Sequence, residues 1–169
     1  MDGMPIRAGH VLCVLGLMLG GPQVRADDSQ TGLGEADKRA VFKAAGAVQR
    51  HGKWVICADD PSTGGAVIDT VRDLNGDGRP EVVVTEDGTY CNGNAGTGFR
   101  LLSRQTDGSW RVMASDSGMP EFLKTKGVGG WPDISVGGPG FCFPVERWNG
   151  KAYVLNRFEY EGKRCKPPR

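Results

Sequence analysis

The chain has 169 residues, 38% hydrophobic and 24% charged, with a formal net charge of +1. That balance excludes a disordered chain, which has fewer core formers and a larger charge excess, and a nucleic-acid binder that works through a strongly basic surface. It leaves one globular domain, and its 27 glycines point to many tight turns joining short strands.

Residues 1–26 read as a signal peptide. Arg7 gives a basic start, residues 11–20 are an apolar run, and Val24 and Ala26 place small residues at −3 and −1 of a cut before Asp27. The run is too short to span a bilayer as a helix, which needs about 20 residues. Cys13 lies inside the run, which makes it a poor site for lipid attachment. Without this segment acidic and basic residues cancel, so the field of the whole protein steers no partner. The expected product is periplasmic or secreted and has no membrane span. Residues 27–34 read as a polar, flexible N-terminus, and residues 35–169 as a single β-rich domain.

Residues 35–45 are rich in Ala, Glu and Lys, which favour helix. Gly46 suits the left-handed position after a helix end, and Val41, Ala44, Ala45 and Val48 form a narrow apolar stripe. Strand and turn patterns follow. Residues 47–57, 101–112 and 144–155 share one plan, with His-Gly, Asp-Gly or Asn-Gly between apolar strands. An aromatic follows each turn glycine by two or three residues, so Trp54, Trp110 and Tyr153 are expected at equivalent core positions. Pro80-Glu81-Val82-Val83-Val84 and Pro132-Asp133-Ile134-Ser135-Val136 also match. Each precedes a Gly-rich loop and then Phe99 or Phe143. The sequence therefore predicts a mainly β fold with one short N-terminal helix. Repeated antiparallel hairpins form a strand-loop-hairpin unit used twice, in a small propeller-like or sandwich arrangement.

The domain keeps Cys57, Cys91, Cys142 and Cys165. An even number after an export signal, with no CxxC spacing, points to disulfides. Four cysteines allow three connectivities; Cys57–Cys91 with Cys142–Cys165 is preferred because each then closes a segment around one hairpin.

One motif carries chemistry. Asp73-Leu74-Asn75-Gly76-Asp77-Gly78-Arg79-Pro80-Glu81 places side-chain oxygens at loop positions 1, 3 and 5, a glycine at 6 and a carboxylate at 9. Ca²⁺ takes six to eight hard oxygen ligands. Asp73, Asn75, Asp77, the carbonyl of Arg79 and Glu81 are the expected ligands. Position 12 is Val84, not the glutamate of a helix-loop-helix EF-hand, and the flanks read as strands. The loop resembles the FG-GAP/VCBS-type calcium loops of β-propellers, with Glu81 in place of their final Asp. The degenerate copy at residues 130–133 lacks the upstream acids and is expected to hold no ion.

An enzyme is disfavoured. His51, the single histidine after residue 26, falls on a turn tip, and no Ser-His-Asp set can be assembled without it. The cysteines are expected to be paired. The Gly-Gly pairs at 129–130 and 137–138 lack the helix and lysine of a P-loop, and basic residues are scattered among acids, so no nucleic acid is expected. The layout of export signal, calcium loop, WPDI repeat, RWNGKAY hairpin and two disulfides resembles small periplasmic lysozyme inhibitors and immunity proteins. That resemblance implies a non-catalytic exported module whose partner is a protein, such as a cell-wall lytic enzyme. Residues 125–131 and 135–141 are the loops that could insert into such a partner. The alternative is a periplasmic hydrolase that uses carboxylates.

Overall fold

A computed structural model describes residues 32–167. The expected signal peptide, and the part of the expected flexible N-terminus before residue 32, lie outside them.

Helix α1 (Glu35–Ala44) opens with acids in its first turn and closes with Lys43 in its last, both favourable to the helix dipole. Gly46 has φ +78°, and the Gly46 and Ala47 N–H groups donate to the Lys43 and Phe42 carbonyls at 2.9 Å each. This paired closure satisfies two of the helix's end carbonyls and needs the positive φ that glycine permits.

The strands follow the helix. Strands β1 (Val48–Arg50) and β2 (Lys53–Val55) pair only with each other. Then come two meanders of the same plan. The first is β3 (Val67–Arg72), β4 (Glu81–Asp87), β5 (Thr97–Arg104) and β6 (Trp110–Ser117). A short helix, α2 (Thr89–Asn92), and a 3₁₀ turn (Gly93–Ala95) lie between β4 and β5. The second meander is β7 (Met119–Lys126), β8 (Pro132–Gly137), β9 (Phe143–Trp148) and β10 (Tyr153–Tyr160), extended by β11 (Lys163–Arg164). The two Pro-acid-aliphatic segments thus open β4 and β8, the second strand of each meander. The expected repeat is present as two antiparallel four-strand units.

Three layers result. Val83, Phe99, Leu101 and Ala114 of the first sheet pack with Trp131, Ile134, Val136 and Trp148 of the second. On the opposite face of the first sheet, Val82, Val84 and Leu102 pack with Val41 and Ala45 of the α1 segment. Side chains alternate faces along a strand, so the apolar runs of β4 and β5 feed both cores and are buried on both sides. Disulfides join Cys57 to Cys91 and Cys142 to Cys165, with Cα separations of 6.1 and 5.7 Å. This is the preferred pairing. It ties down the β4–β5 connection of one unit and the β8–β9 connection of the other.

Three expectations are corrected. Leu33, assigned to a flexible terminus, is 4% exposed and sits in the helix-side core. Val48 leaves the helical stripe, opens β1 and is 46% exposed; Phe42 joins the packing instead, stacked on Trp54 at 5.4 Å. The three hairpin aromatics are partly buried and do not share one core. Trp54 and Trp110 face the helix side, whereas Tyr153 packs with Trp131 and Trp148 between the sheets. Trp110 lies two residues after its turn glycine and Tyr153 three, and one added residue turns a strand side chain to the other face.

The chain passes from the first sheet to the second through the single residue Gly118. Its φ is +134°, and a Cβ there would lie 2.4 Å from the Gly137 carbonyl oxygen. Gly118→Ala should therefore lower the unfolding free energy by about 1–3 kcal/mol. Gly138→Ala, in open space, should stay within about 0.5 kcal/mol of the parent. Urea unfolding of both variants checks this.

Candidate functional site

The 73–81 loop joins β3 to β4 and is held by its own backbone. Asp73 accepts hydrogen bonds from the Gly76, Asp77 and Gly78 N–H groups at 2.7, 3.2 and 2.9 Å. These bonds, the one from Gly78 foremost, hold its carboxyl below the usual range despite some desolvation. Asn75 Oδ1 accepts from the Asp77 N–H at 2.9 Å. Asp77 accepts from the Arg79 N–H at 2.9 Å and pairs with the Arg79 guanidinium at 2.5 Å. Gly76 and Gly78 have φ of +84° and +82°, which lets the loop turn tightly enough to present these bonds.

Glu81 sits beneath the loop and is 1% exposed. Its two oxygens accept from the Leu74 N–H at 2.8 Å and the Ser103 hydroxyl at 2.9 Å. Burial pushes its carboxyl pKa up, and the charges of Asp77 and Asp73 push the same way. Asp73, Asn75 and Asp77 are therefore gathered in one exposed loop, with Glu81 inside the fold at its base. Among the described residues, no three Asp, Glu, His or Cys side chains converge as a ready cage for a metal ion. Asp77 is turned to Arg79, and Glu81 to Ser103. In kind, the donors fit Ca²⁺, since all are hard oxygens. Glu81 is thus a buried carboxylate with no positive partner among the described residues, subject to the charges of two further acids.

The corresponding carboxylate of the second unit shows the contrast. Asp133 is wholly buried. It accepts from Arg147 Nε and Nη2 at 2.8 Å each, from Arg157 Nη1 at 2.6 Å and from the Thr125 hydroxyl at 2.6 Å. Burial alone would push this carboxyl up. The hydrogen bonds from Arg147, Thr125 and Arg157 outweigh it and hold the group well below the usual carboxylate range. Ser103, Thr125, Arg147 and Arg157 are absent from the sequence-derived site. Ser103 is found only through the β4–β5 register, which sets it opposite Glu81.

The two loops expected to insert into a partner differ. In the 125–131 loop, a Cβ on Gly127 would lie 2.3 Å from the Trp148 carbonyl oxygen, and one on Gly130 would lie 2.6 Å from the Asn75 carbonyl oxygen. These glycines serve close packing, the second against the 73–81 loop itself. Residues 135–137 of the other expected loop belong to β8, with Ser135 and Val136 buried, which leaves residues 138–141; there Gly138 and Gly140 have nothing near them, and Phe141 is 61% exposed. Its ring lies edge-on to Tyr160 at 6.2 Å, beside the Cys142–Cys165 disulfide. His51 is exposed in the turn between β1 and β2. No helix among the described residues is long and apolar enough to cross a membrane. No family model, curated protein or solved structure matches the chain.

The Asp133 cluster has a definite pH signature. Its folded-state pKa is depressed, so its stabilisation is complete above the unfolded value of about 3.9 and is lost as pH falls toward the folded value. Asp133→Asn should cost about 3–5 kcal/mol at neutral pH, because two arginines lose a buried partner. It should also flatten the fall in stability below about pH 4. Chemical denaturation of both proteins across that range measures the effect.

Proposed function

We propose that this chain is an exported, non-catalytic β protein that holds Ca²⁺ in its 73–81 loop and works by binding a protein partner. The partner class is a cell-wall hydrolase, which makes the chain an inhibitor or immunity protein. The calcium assignment rests on the unequal treatment of two equivalent buried carboxylates. Asp133 receives two arginines, whereas Glu81 receives only neutral donors and faces more negative charge. The residues to hold the ion are Asp73, Asn75 and Asp77 through side-chain oxygens, the Arg79 carbonyl, and Glu81. Bound there, a dication would offset the mutual repulsion of the three carboxylates and fix the turn.

The loop resembles the FG-GAP/VCBS calcium loops, which supports the same reading. Export is supported by the two disulfides, which persist in oxidising compartments. A binding role is supported by the fate of the reactive side chains. Four thiols are paired. The buried acids Asp60, Glu81, Glu86 and Asp133 each accept hydrogen bonds that hold backbone, hydroxyl or guanidinium groups in place. The 138–141 loop, stapled at Cys142, is the surface to enter the partner, with Phe141 leading.

Two experiments test this. Ca²⁺ at a hundredfold excess over Kd should add about 2.7 kcal/mol of stability, raising Tm clearly over the value in chelator. Mg²⁺ should do much less, because it demands a tighter octahedron. Asp73→Ala with Asp77→Ala should abolish the response. Identical melting in chelator and in excess Ca²⁺ would remove the ion from this account.

The second experiment mixes the purified protein with lysozyme and peptidoglycan. Slowed digestion is expected. Phe141→Ala should weaken the inhibition at least about tenfold, the usual scale for a central aromatic contact, while leaving Tm unchanged. Peptidoglycan turnover by the protein alone would overturn the non-catalytic reading.

A further inference from the structure

At the opposite end of β4 from Glu81, a pocket of about 380 Å³ opens beside the Cys57–Cys91 disulfide. Arg100 of β5 lines it, directly opposite Ser115 of β6. Arg100 is half-buried, yet its guanidinium makes no hydrogen bond and no ion pair among the described residues. Arg79, Arg104, Arg147 and Arg157 by contrast all have carboxylate partners. A guanidinium carries five donors in a fixed fork, and holding it out of water without an acceptor is costly. Burial pushes its pKa down, and only the Glu86 charge acts against that.

Glu86 is close but committed elsewhere. It accepts from the Ile56 and Cys57 N–H groups at 2.8 and 2.7 Å and from the Thr63 hydroxyl at 2.6 Å. Those bonds hold the 56–57 segment as a wall of the pocket, and the disulfide fixes that wall to Cys91. Another wall is set by Asn92, whose amide donates to the Glu86 and Gly88 carbonyls. It fits only because residue 98 is glycine: a Cβ there would lie 2.3 Å from Asn92 Oδ1. The pocket is therefore built before any ligand arrives, and its unspent donors are Arg100 and the Ser115 hydroxyl.

The charges around these donors select the ligand. Glu86 and Asp116 line the same pocket, so Arg100 is outnumbered by acids. A dianion such as phosphate is penalised there more than a single carboxylate, which carries half the charge. We infer that this pocket binds the α-carboxylate of an amino acid or of a peptide C-terminus, with Arg100 as the bidentate contact and Ser115 as a second donor. A planar fork matches a carboxylate with two parallel hydrogen bonds. The volume falls within the range of small-molecule sites. The inference does not depend on calcium in the 73–81 loop.

Calorimetric titration of the purified protein with L-alanine, the dipeptide Ala-Ala, the Ala-Ala amide and inorganic phosphate tests it. Saturable binding of Ala-Ala is expected, with the amide at least about tenfold weaker, as for loss of a charged hydrogen-bonding partner. Alanine binding as tightly as Ala-Ala identifies a free amino acid as the ligand; tighter Ala-Ala identifies a chain terminus. Arg100→Met should weaken binding by a similar factor and melt no lower than the parent, because it removes a charge that has no partner. Arg100→Lys, which keeps the charge and loses the fork, should fall between them. Equal affinity for peptide and amide, tighter phosphate binding, no saturation at millimolar peptide, or unchanged binding in both Arg100 variants would each overturn the inference.

Discussion

Each meander carries a fully buried carboxylate at or next to the first residue of its second strand, and a buried negative charge must be compensated where it stands. Glu81 and Asp133 occupy these positions, each just after a proline. The second unit supplies its compensation from within. Arg147 reaches Asp133 from β9 and Arg157 from β10, so one carboxylate ties three strands together. The first unit has Ser103 at the place opposite Glu81, and no arginine among the described residues reaches it. The polar compensation available to Glu81 comes from the Ser103 hydroxyl and, from the loop above it, the Leu74 N–H. The loop and the strand it feeds are thus one construction.

That construction lies at the centre of the layering. Val82, Val83 and Val84 follow Glu81 directly, and their alternating faces supply both the helix-side and the inter-sheet cores. A shift of the loop would move the strand that all three layers share. The second unit presses on the same place: Gly130 meets the Asn75 carbonyl so closely that only a glycine fits, and Leu74 packs into the inter-sheet cluster. The 3₁₀ turn at Val128–Gly130 therefore serves as a lid on the loop. This is a packing role for glycines of a segment that the sequence also offers for insertion in a partner.

The legible parts of the fold are those set by local chemistry. Alternating faces, Asp-Gly and Asn-Gly turns and the Ala-rich helix ending at Gly46 depend on neighbours within a few residues, and each stands where its residues imply. The cysteine pairing was open among three connectivities and favoured by hairpin closure alone. The illegible parts depend on register. Tyr153 turns to the inter-sheet face because it stands one residue farther from its turn glycine than Trp110 does. Glu81 has the spacing of a loop ligand, but the β4–β5 register turns it inward onto Ser103. Leu33 reads as terminus because a single apolar residue has no period, and it is buried because α1 folds back over the first sheet. Arg100 had a signal in plain view, a lone charge in the run Phe99-Arg100-Leu101-Leu102, but its lack of a partner emerges only when β4 and β6 are set on either side.

The two ends of β4 pose the same electrostatic problem with opposite sign. At the Glu81 end a buried anion lacks a cation. At the Glu86 end a half-buried cation lacks an anion, because the nearest acid is spent on backbone and hydroxyl donors. Neither is relieved by moving a side chain between them, since four strand residues, three of them valines buried in the two apolar cores, lie between Glu81 and Glu86. Total domain stability is only about 5–15 kcal/mol, so unpaired charge at both ends of a central strand is a substantial burden. The fold carries that burden with rigid surroundings at each end: backbone turns around Asp73 on one side, and a disulfide with a glycine-seated asparagine on the other. Rigidity around an uncompensated charge is what preorganised binding requires, because the cost of ordering the site is met during folding and not at the encounter with the ligand. On the readings proposed above, a small cation would complete one end and a carboxylate the other, and Glu81 and the Arg100 fork would both have a charged partner only in the doubly occupied protein.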